Sequence, residues 1–230
     1  MLASESLGAV FPRFCPVPVH PLFAGATHLR LAANEMLYMP EEPGAQVYLI
    51  VEGEIRLYKI NAEGREFTVG IFGPEEIVGE SELLSGSKRG CYAMARGTAH
   101  LLALDKRAFL EHLEASPREA LELMRFVSLK NQMIERKLES LLFKSAHAKV
   151  AEQLLALAEQ HARPAPAALG LGAVAIDYPI THQEIANLIG ATRETVSYVL
   201  LDFKASDLIE TGRRRIAIRD LEGLKELARA

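Results

Sequence analysis

Residues 181–201 read THQEIANLIGATRETVSYVLL, and their apolar spacing predicts two short helices joined by a tight turn. The first helix would bury a face made of Ile185, Ala186 and Ile189. Gly190 can supply the positive φ of the turn, because it carries no Cβ. Thr192 belongs to the residue types that cap helix N-termini, so we expect the second helix to begin just after it. The stretch therefore predicts a helix-turn-helix.

The second helix of this motif would bury one face and turn a polar face outward. The buried face would be Val196, Val199 and Leu200, and the outward side chains would be Thr192, Arg193, Glu194, Ser197 and Tyr198. The N-terminal turns of a recognition helix reach base edges in the major groove. Arg193 can donate two hydrogen bonds to guanine, and Glu194 can accept one from cytosine. The sequence thus predicts DNA binding, with a plain helical pair as the alternative.

A wing is predicted after the second helix. Residues 207–218 are typical of two short strands around a turn at Thr211 and Gly212. Three arginines follow this turn, Arg213, Arg214 and Arg215, where they would meet phosphate oxygens. The predicted DNA contacts are Thr181, His182, Gln183, Thr192, Arg193, Glu194, Ser197, Tyr198, Arg213 and Arg214.

Composition sets limits on the class of protein. The 230 residues suffice for two modest domains, and 49% hydrophobic with 24% charged residues is ordinary for a globular protein. A net charge of −4 argues against a protein that coats nucleic acid indiscriminately, but not against a site-specific binder whose positive charge lies on one face. From Ala191 to Arg219 six basic and four acidic residues leave a local charge of +2, which is weak electrostatic support.

The cysteines and the N-terminal segment indicate the compartment. Cys15 and Cys91 form no CxxC unit, so a reducing cytoplasm fits. The first twenty residues carry no basic region followed by an apolar run, and no apolar stretch approaches a membrane span. We find no catalytic Ser/His/Asp set, no paired carboxylates and no phosphate-binding glycine loop, so we expect neither an enzyme nor a cofactor.

The N-terminal half has the pattern of short strands separated by turn residues. The predicted strands are 36–39, 46–51, 54–60, 66–72, 77–78, 91–95 and 98–104. About eight short strands at this spacing predict an antiparallel jelly roll or a small barrel.

A long helix is predicted from Ser116-Pro117, after a short helix that Asp105 would cap. Its apolar residues form a heptad seam, with Met124, Asn131 and Leu138 at a and Val127, Ile134 and Leu141 at d. A single Asn at an a position favours parallel two-stranded pairing. Residues 117–143 are therefore predicted to form a dimer axis, with a helix packed on its own barrel as the alternative.

The predicted fold is α+β with three parts. Residues 1–116 would form the β-jelly-roll sensor domain, 117–143 the dimerisation helix, and 144–230 a winged helix-turn-helix domain. Within the last part we expect a helix over 144–161, a loop over 163–172 and a closing helix over 221–230.

This order of parts resembles the CRP/FNR superfamily of bacterial transcription regulators. The most specific matching residues are VEGEI at 51–55, Gly79-Glu80, and TRETV at 192–196. The resemblance implies a homodimer that binds palindromic DNA and contacts RNA polymerase. We expect an activator, with a repressor as the alternative, because the role depends on where the site lies relative to the promoter. Cyclic-AMP-responsive members carry an Arg four residues beyond the recognition Glu. Tyr198 stands there in this chain, which leaves part of the DNA half-site open.

The resemblance also implies an effector pocket, in which a Glu holds a ribose hydroxyl and an Arg with a hydroxyl residue holds a cyclic phosphate. The corresponding residues here are Gly79, Glu80, Ser81, Arg89, Gly90, Ile134 and Glu135. Two positions depart from the pattern, since Glu82 replaces a small residue and Gly90 lacks a hydroxyl. Arg89 could instead ion-pair with Glu80 or Glu82 and brace an empty loop. We expect DNA binding without cyclic AMP and leave the effector open.

Other readings have less support from the residues. An iron–sulfur cluster would need several N-terminal cysteines, and Cys15 alone cannot hold one. The seven histidines are scattered, which disfavours haem. The main alternative function is a ligand-binding regulatory module whose helix-turn-helix contacts another protein.

Overall fold

A computed structural model describes residues 20–164, 173–212 and 215–229 of the chain. It contains two compact units, which divide between Gln132 and Met133. Among the described residues, none of the helices combines the length and apolar character that crossing a bilayer requires.

The first unit is an antiparallel β-structure of two four-stranded sheets. After a 3-10 turn at His20–Phe23 come β1 (Thr27–Leu31), β2 (Met36–Tyr38), β3 (Gln46–Glu52), β4 (Ile55–Ile60), β5 (Glu66–Phe72), β6 (Ile77–Val78), β7 (Tyr92–Ala95) and β8 (Ala99–Asp105). One sheet has the order β1-β8-β3-β6 and the other β2-β7-β4-β5. The predicted jelly roll is confirmed.

Alternation of buried and partly exposed residues marks β5, β7 and β8. In β5 the positions Thr68, Gly70 and Phe72 are buried and their neighbours are partly exposed, as expected for a strand with one face on the core. In β1 only Leu31 is buried. That strand was not predicted individually, because an edge strand with one buried residue carries almost no periodic signal.

Two helices, α1 (Glu80–Ser85) and α2 (Lys106–Ala115), belong to the first unit, and α3 (Pro117–Phe143) begins in it. Helix α2 begins where predicted, but the Asp105 side chain makes no capping hydrogen bond. Its Oδ1 accepts a hydrogen bond from Gln46 Nε2 at 3.0 Å instead. The capping prediction was wrong, because a cross-strand partner on β3 competes for the carboxylate.

Helix α3 has 27 residues, about 40 Å at 1.5 Å per residue. It buries Leu123 and Phe126. The seam residues Met124 and Leu138 are 66% and 55% exposed, and Asn131 is also exposed. The face that packs within the chain is therefore a different one from the predicted seam.

The second unit holds α4 (Ala146–His161), β9 (Ala162–Pro164), β10 (Val174–Ile176), α5 (His182–Ile189), α6 (Arg193–Ala205), β11 (Ile209–Gly212), β12 (Arg215–Ile218) and α7 (Leu221–Arg229). Its sheet has the order β11-β12-β10-β9, and all pairs are antiparallel. The core is made by α4, which packs against α5, α6 and α7 and buries Val150, Leu154, Leu155 and Leu157.

The ends of α4 differ from the prediction. The helix begins at Ala146, because Ser145 caps it by accepting a hydrogen bond from the Ala148 N–H. Residues 163 and 164 were predicted as loop but belong to the edge strand β9, where Pro164 is tolerated. Arg163 Nε also lies 2.6 Å from Asp177 Oδ2, and this tertiary contact has no local sequence signal. The rest of the predicted loop, 165–172, lies outside the described residues.

Candidate nucleic-acid interface and effector pocket

The first helix of the helix-turn-helix, α5, starts in a capping box. The Thr181 side chain accepts from the Glu184 N–H at 3.1 Å, and Glu184 Oε2 accepts from the Thr181 N–H at 2.8 Å. The pattern T-x-x-E is a sequence signal for this arrangement, but the sequence prediction did not use it. The box fixes the start of α5 and so places His182 and Gln183 at its N-terminal turn.

The turn between the two helices has the geometry that its sequence predicts. Gly190 has φ 66° and ends α5, and its N–H donates to the Ala186 carbonyl. Thr192 then caps α6 by accepting from the Thr195 N–H at 3.1 Å. The six predicted core residues of the two helices, Ile185, Ala186, Ile189, Val196, Val199 and Leu200, are all buried.

The outward side of α6 carries the predicted recognition side chains. Thr192, Arg193, Glu194 and Tyr198 are exposed, and Ser197 is half-buried. The pKa of Glu194 lies below its ordinary value, because its own backbone N–H and the Thr192 hydroxyl stabilise the carboxylate. Glu194 is therefore an ionised acceptor at neutral pH, which suits a contact with an amine such as that of cytosine.

Two of the predicted contact residues also have partners inside the unit. His182 Nδ1 lies 2.8 Å from Ser197 Oγ, which ties the start of α5 to α6. Gln183 Nε2 donates to Asn187 Oδ1 at 2.8 Å. The sequence placed His182 and Ser197 near the DNA face but could not show that they contact each other.

A cleft of about 580 Å³ opens between the starts of both helices and the wing strands. Its lining residues are Ile180, Thr181, His182, Gln183, Arg193, Thr211, Gly212 and Ile216. The cleft brings together four of the ten predicted DNA contacts. It also adds Thr211 and Gly212, which sequence reasoning assigned to a turn.

The wing differs in detail from its prediction. Thr211 and Gly212 belong to strand β11, and Gly212 pairs with Arg215 across the hairpin. The turn prediction was wrong by two residues, because pairing with β12 extends β11. Arg213 and Arg214 lie outside the described residues. Nearby, Lys204 pairs with Glu210 at 2.8 Å and Arg219 with Asp207 at 2.6 Å, so two of the basic side chains are already neutralised.

The predicted effector pocket of the first unit is centred on Arg89, which is only 2% exposed. Its Nη1 donates to the Gly79 carbonyl at 2.8 Å and lies 3.4 Å from Glu82 Oε2. Its Nη2 donates to the Gln46 carbonyl, and the guanidinium lies 4.3 Å from the centroid of the Tyr38 ring. The expectation that Arg89 ion-pairs with Glu80 or Glu82 is confirmed for Glu82.

Glycines on both sides of Arg89 shape this pocket. Gly79 has φ 85°, and a Cβ there would come 2.6 Å from Arg89 Nη1. The position is therefore restricted to glycine by both backbone and space. The Gly90 N–H lies 3.4 Å from Glu82 Oε1, so one carboxylate faces both Arg89 and the Gly90 backbone.

Glu80 is fully buried beside this group and has a partner that the sequence prediction missed. Lys130 Nζ lies 2.7 Å from Glu80 Oε1, and the Ser81 hydroxyl donates to the same oxygen at 3.1 Å. The other oxygen, Oε2, has no hydrogen-bond partner among the described residues. Lys130 also lies 4.6 Å from the centroid of the Phe72 ring. The sequence carries no local signal for this pair, because Glu80 and Lys130 belong to separate helices, α1 and α3.

The remaining predicted effector residues, Ile134 and Glu135, belong to the second unit, where both side chains are exposed. Among the described residues, no group of three or more His, Cys, Asp or Glu side chains could hold a metal ion.

Comparison with known proteins addresses the family of the chain. A cyclic nucleotide-binding domain matches residues 28–116, and a Crp-like helix-turn-helix domain matches residues 148–227. Transcriptional regulator LdrP of Thermus thermophilus is 33% identical over 199 residues, 86% of this chain and 95% of that protein. The cyclic AMP receptor protein from another strain of Thermus thermophilus is 31% identical over 185 residues, 80% of each chain.

Solved structures agree with this likeness. A CRP/FNR family transcriptional regulator from Thermus thermophilus is 28% identical, with a TM-score of 0.73 over 89% of this chain and 99% of that one. FixK2 from Bradyrhizobium japonicum has a TM-score of 0.75 at 24% identity, over 89% of this chain and 98% of that one, and shows the same fold. Both likenesses extend over the sensor unit and the DNA-binding unit alike. The chain therefore belongs to the CRP/FNR family and is a sequence-specific, DNA-binding transcription regulator.

Proposed function

We propose that this regulator acts in the cytoplasm as a homodimer on a palindromic DNA site, where it activates transcription by contacting RNA polymerase. The observation that carries the proposal is the outward side of α6, which presents Arg193 and Glu194 on its first turn beside an open cleft. The activator role and the polymerase contact come from the family resemblance.

The homodimer is proposed from the exposed seam of α3. Its uncovered residues are Met124, Asn131, Ile134 and Leu138. An apolar row of this kind on one helix face marks an interaction surface. A second copy of the same helix fits it, because parallel pairing places each seam residue against its own counterpart. Two recognition helices related in this way would read half-sites about 34 Å apart.

The dimer proposal is tested by replacing Asn131 with Leu. Association is expected to strengthen by about 1.5 kcal/mol or more, because an apolar side chain replaces an amide in the seam. The preference for two parallel chains is expected to weaken at the same time. Analytical ultracentrifugation measures both. A strict dimer of unchanged stability would place Asn131 outside the seam.

Base reading is proposed for Arg193 and Glu194, which would contact guanine and cytosine. Contacts with the phosphate backbone of DNA are proposed for the cleft residues Thr181, His182 and Gln183. Hydroxyl, imidazole and amide groups at the start of a helix commonly donate hydrogen bonds to phosphate. The wing residues Arg213 and Arg214 are proposed to do the same.

Selection of bound sequences from random duplex DNA tests the function. We expect one palindromic family of sites and a steep loss of affinity as salt rises, because phosphate contacts release counterions. Absence of affinity for any genomic fragment at low salt would instead favour the alternative, a helix-turn-helix that contacts proteins. Running the selection with and without cell metabolites also reports any effector requirement.

We further propose that DNA binding does not require a cyclic nucleotide. The Glu82 carboxylate accepts from Arg89 and faces the Gly90 N–H, the two positions that the family resemblance assigns to the cyclic phosphate. A phosphate entering this place would meet a like charge and would have to displace Glu82. The regulator would then either be competent for DNA without a ligand or respond to a different small molecule.

Calorimetry with cyclic AMP and cyclic GMP tests this point, together with DNA binding without additives. We expect the protein to bind DNA without any additive and to bind neither nucleotide at micromolar concentration. Micromolar binding that switches on DNA affinity would overturn the proposal.

A further inference from the structure

Two large apolar side chains stand exposed on the recognition helix α6. Tyr198 and Leu201 are each 67% exposed, whereas the other large apolar residues of the helix, Val196, Val199, Leu200 and Phe203, are buried. Residues three apart are neighbours on a helix surface, so Tyr198 and Leu201 form one continuous apolar strip. Glu194 lies four residues before Tyr198, on the same helix face and nearer the N-terminal turn.

The Tyr198 ring is supported from one side. The His147 ring of α4 meets it edge-on, with centroids 6.3 Å apart and planes at 88°. His147 Nε2 in turn lies 3.2 Å from Asp202 Oδ2, on the next turn of α6. A side chain that is held before binding loses less conformational entropy when a partner covers it.

The chemistry of this strip indicates what it can read. The Leu201 side chain has no donor for guanine O6 or N7 and no charge for phosphate, and the Tyr198 ring is uncharged and apolar apart from its hydroxyl. The apolar group that the major groove offers is the C5-methyl of thymine. We propose, on the basis of the DNA-binding function proposed above, that Tyr198 and Leu201 read thymine methyl groups next to the base pair that Arg193 and Glu194 contact.

Uracil substitution in the selected duplex tests the proposal with the full chain. Replacing one thymine by uracil removes only the methyl group and keeps the base pair and the O4 acceptor. We expect the dissociation constant to rise about fourfold for each methyl group that Tyr198 or Leu201 covers, from the transfer free energy of one such group. This loss of affinity, the uracil penalty, should occur at one or two thymines of one half-site and at the symmetric positions of the other half-site.

Variants then assign the contact. Tyr198→Ala and Leu201→Ala should each abolish the uracil penalty at one position, while Tyr198→Phe keeps it. Ile60→Ala is the matched control, because Ile60 is an exposed aliphatic residue of β4, outside the DNA-binding unit. It should leave both affinity and penalty unchanged.

Two outcomes would overturn the proposal: no thymine of the selected site shows a penalty, or the penalty is undiminished in both alanine variants. The second outcome, with full DNA affinity retained, would show that the strip does not contact the selected site. These results differ from failure of the proposed function, in which the unmodified chain selects no duplex at all. The wild-type measurement needs no variant, so a poorly folded mutant cannot hide the answer.

Discussion

The outer face of α6 and the pocket around Arg89 are both rich in polar side chains. On α6 these side chains are exposed to solvent, whereas in the pocket they are buried and bonded to other residues of the protein. On α6, Arg193 and Glu194 are exposed beside an open cleft. In the pocket, Arg89 and Glu80 are buried and bonded to groups of the same unit. Polar groups that already have partners gain little from a ligand, since it must replace bonds that exist. The comparison indicates a surface open to DNA and, among the described residues, a pocket whose buried polar groups, except for Glu80 Oε2, are bonded within their own unit.

The largest effect is expected from breaking the buried pair of the pocket. Lys130→Met leaves the Glu80 carboxylate buried without its cation and should lower the free energy of unfolding by about 3–5 kcal/mol. Chemical denaturation measures the loss. The double variant with Glu80→Gln should recover a large part of it, since no charge then remains buried.

An exposed ion pair supplies the control for that experiment. Lys88 lies 3.1 Å from Glu41 with both side chains exposed, and Lys88→Met should cost less than about 1 kcal/mol. Equal losses in the two methionine variants would contradict the view that Lys130 neutralises a buried carboxylate.

The exposed face of α6 is tested by substitutions of Arg193. Arg193→Ala should weaken specific DNA binding by about 1–3 kcal/mol and relax the base preference at one base pair of each half-site. Arg193→Lys keeps the charge but loses the two-pronged geometry, so it should restore affinity for all sequences but not the preference. DNA affinity measured for single-base variants of the site shows whether Arg193 contacts a base. An equal loss for every sequence would make Arg193 a phosphate contact.

A smaller effect, a gain in cyclic AMP affinity, is expected when the Glu82 carboxylate is removed from the pocket around Arg89. Glu82→Ala with Gly90→Ser removes the competing carboxylate and adds a hydroxyl, and a Cβ at Gly90 would meet nothing nearer than Glu82 Oε1 at 3.9 Å. Each new charge-assisted bond contributes about 1.5–3 kcal/mol, so cyclic AMP affinity should rise at least about tenfold in calorimetry. Gly90→Ser alone is the control and should gain less. No gain in the double variant would show that Glu82 is not what excludes the nucleotide.

Local patterns predicted the helix-turn-helix because its determinants lie close together in the chain. Gly190 and Thr192 act on their own backbone, and the buried residues follow the helix period. Alternation also marks β5 as a strand, but its buried face holds Thr68, Gly70 and Phe72, whereas Phe67, Val69 and Ile71 lie on the partly exposed face. Predictions failed where a distant residue competes, as Gln46 does for Asp105 and as β10 does for residues 163 and 164.

The sequence by itself determined the family, the order of the parts, the recognition helix and the exposed seam of α3. These depend on residue type and spacing within single elements, which short-range physics controls. Only the tertiary structure decided that Lys130 meets Glu80, that Glu82 faces Arg89 and Gly90, and that Tyr198 is braced by His147. Such contacts join residues from separate elements, and their distances depend on how the whole chain packs.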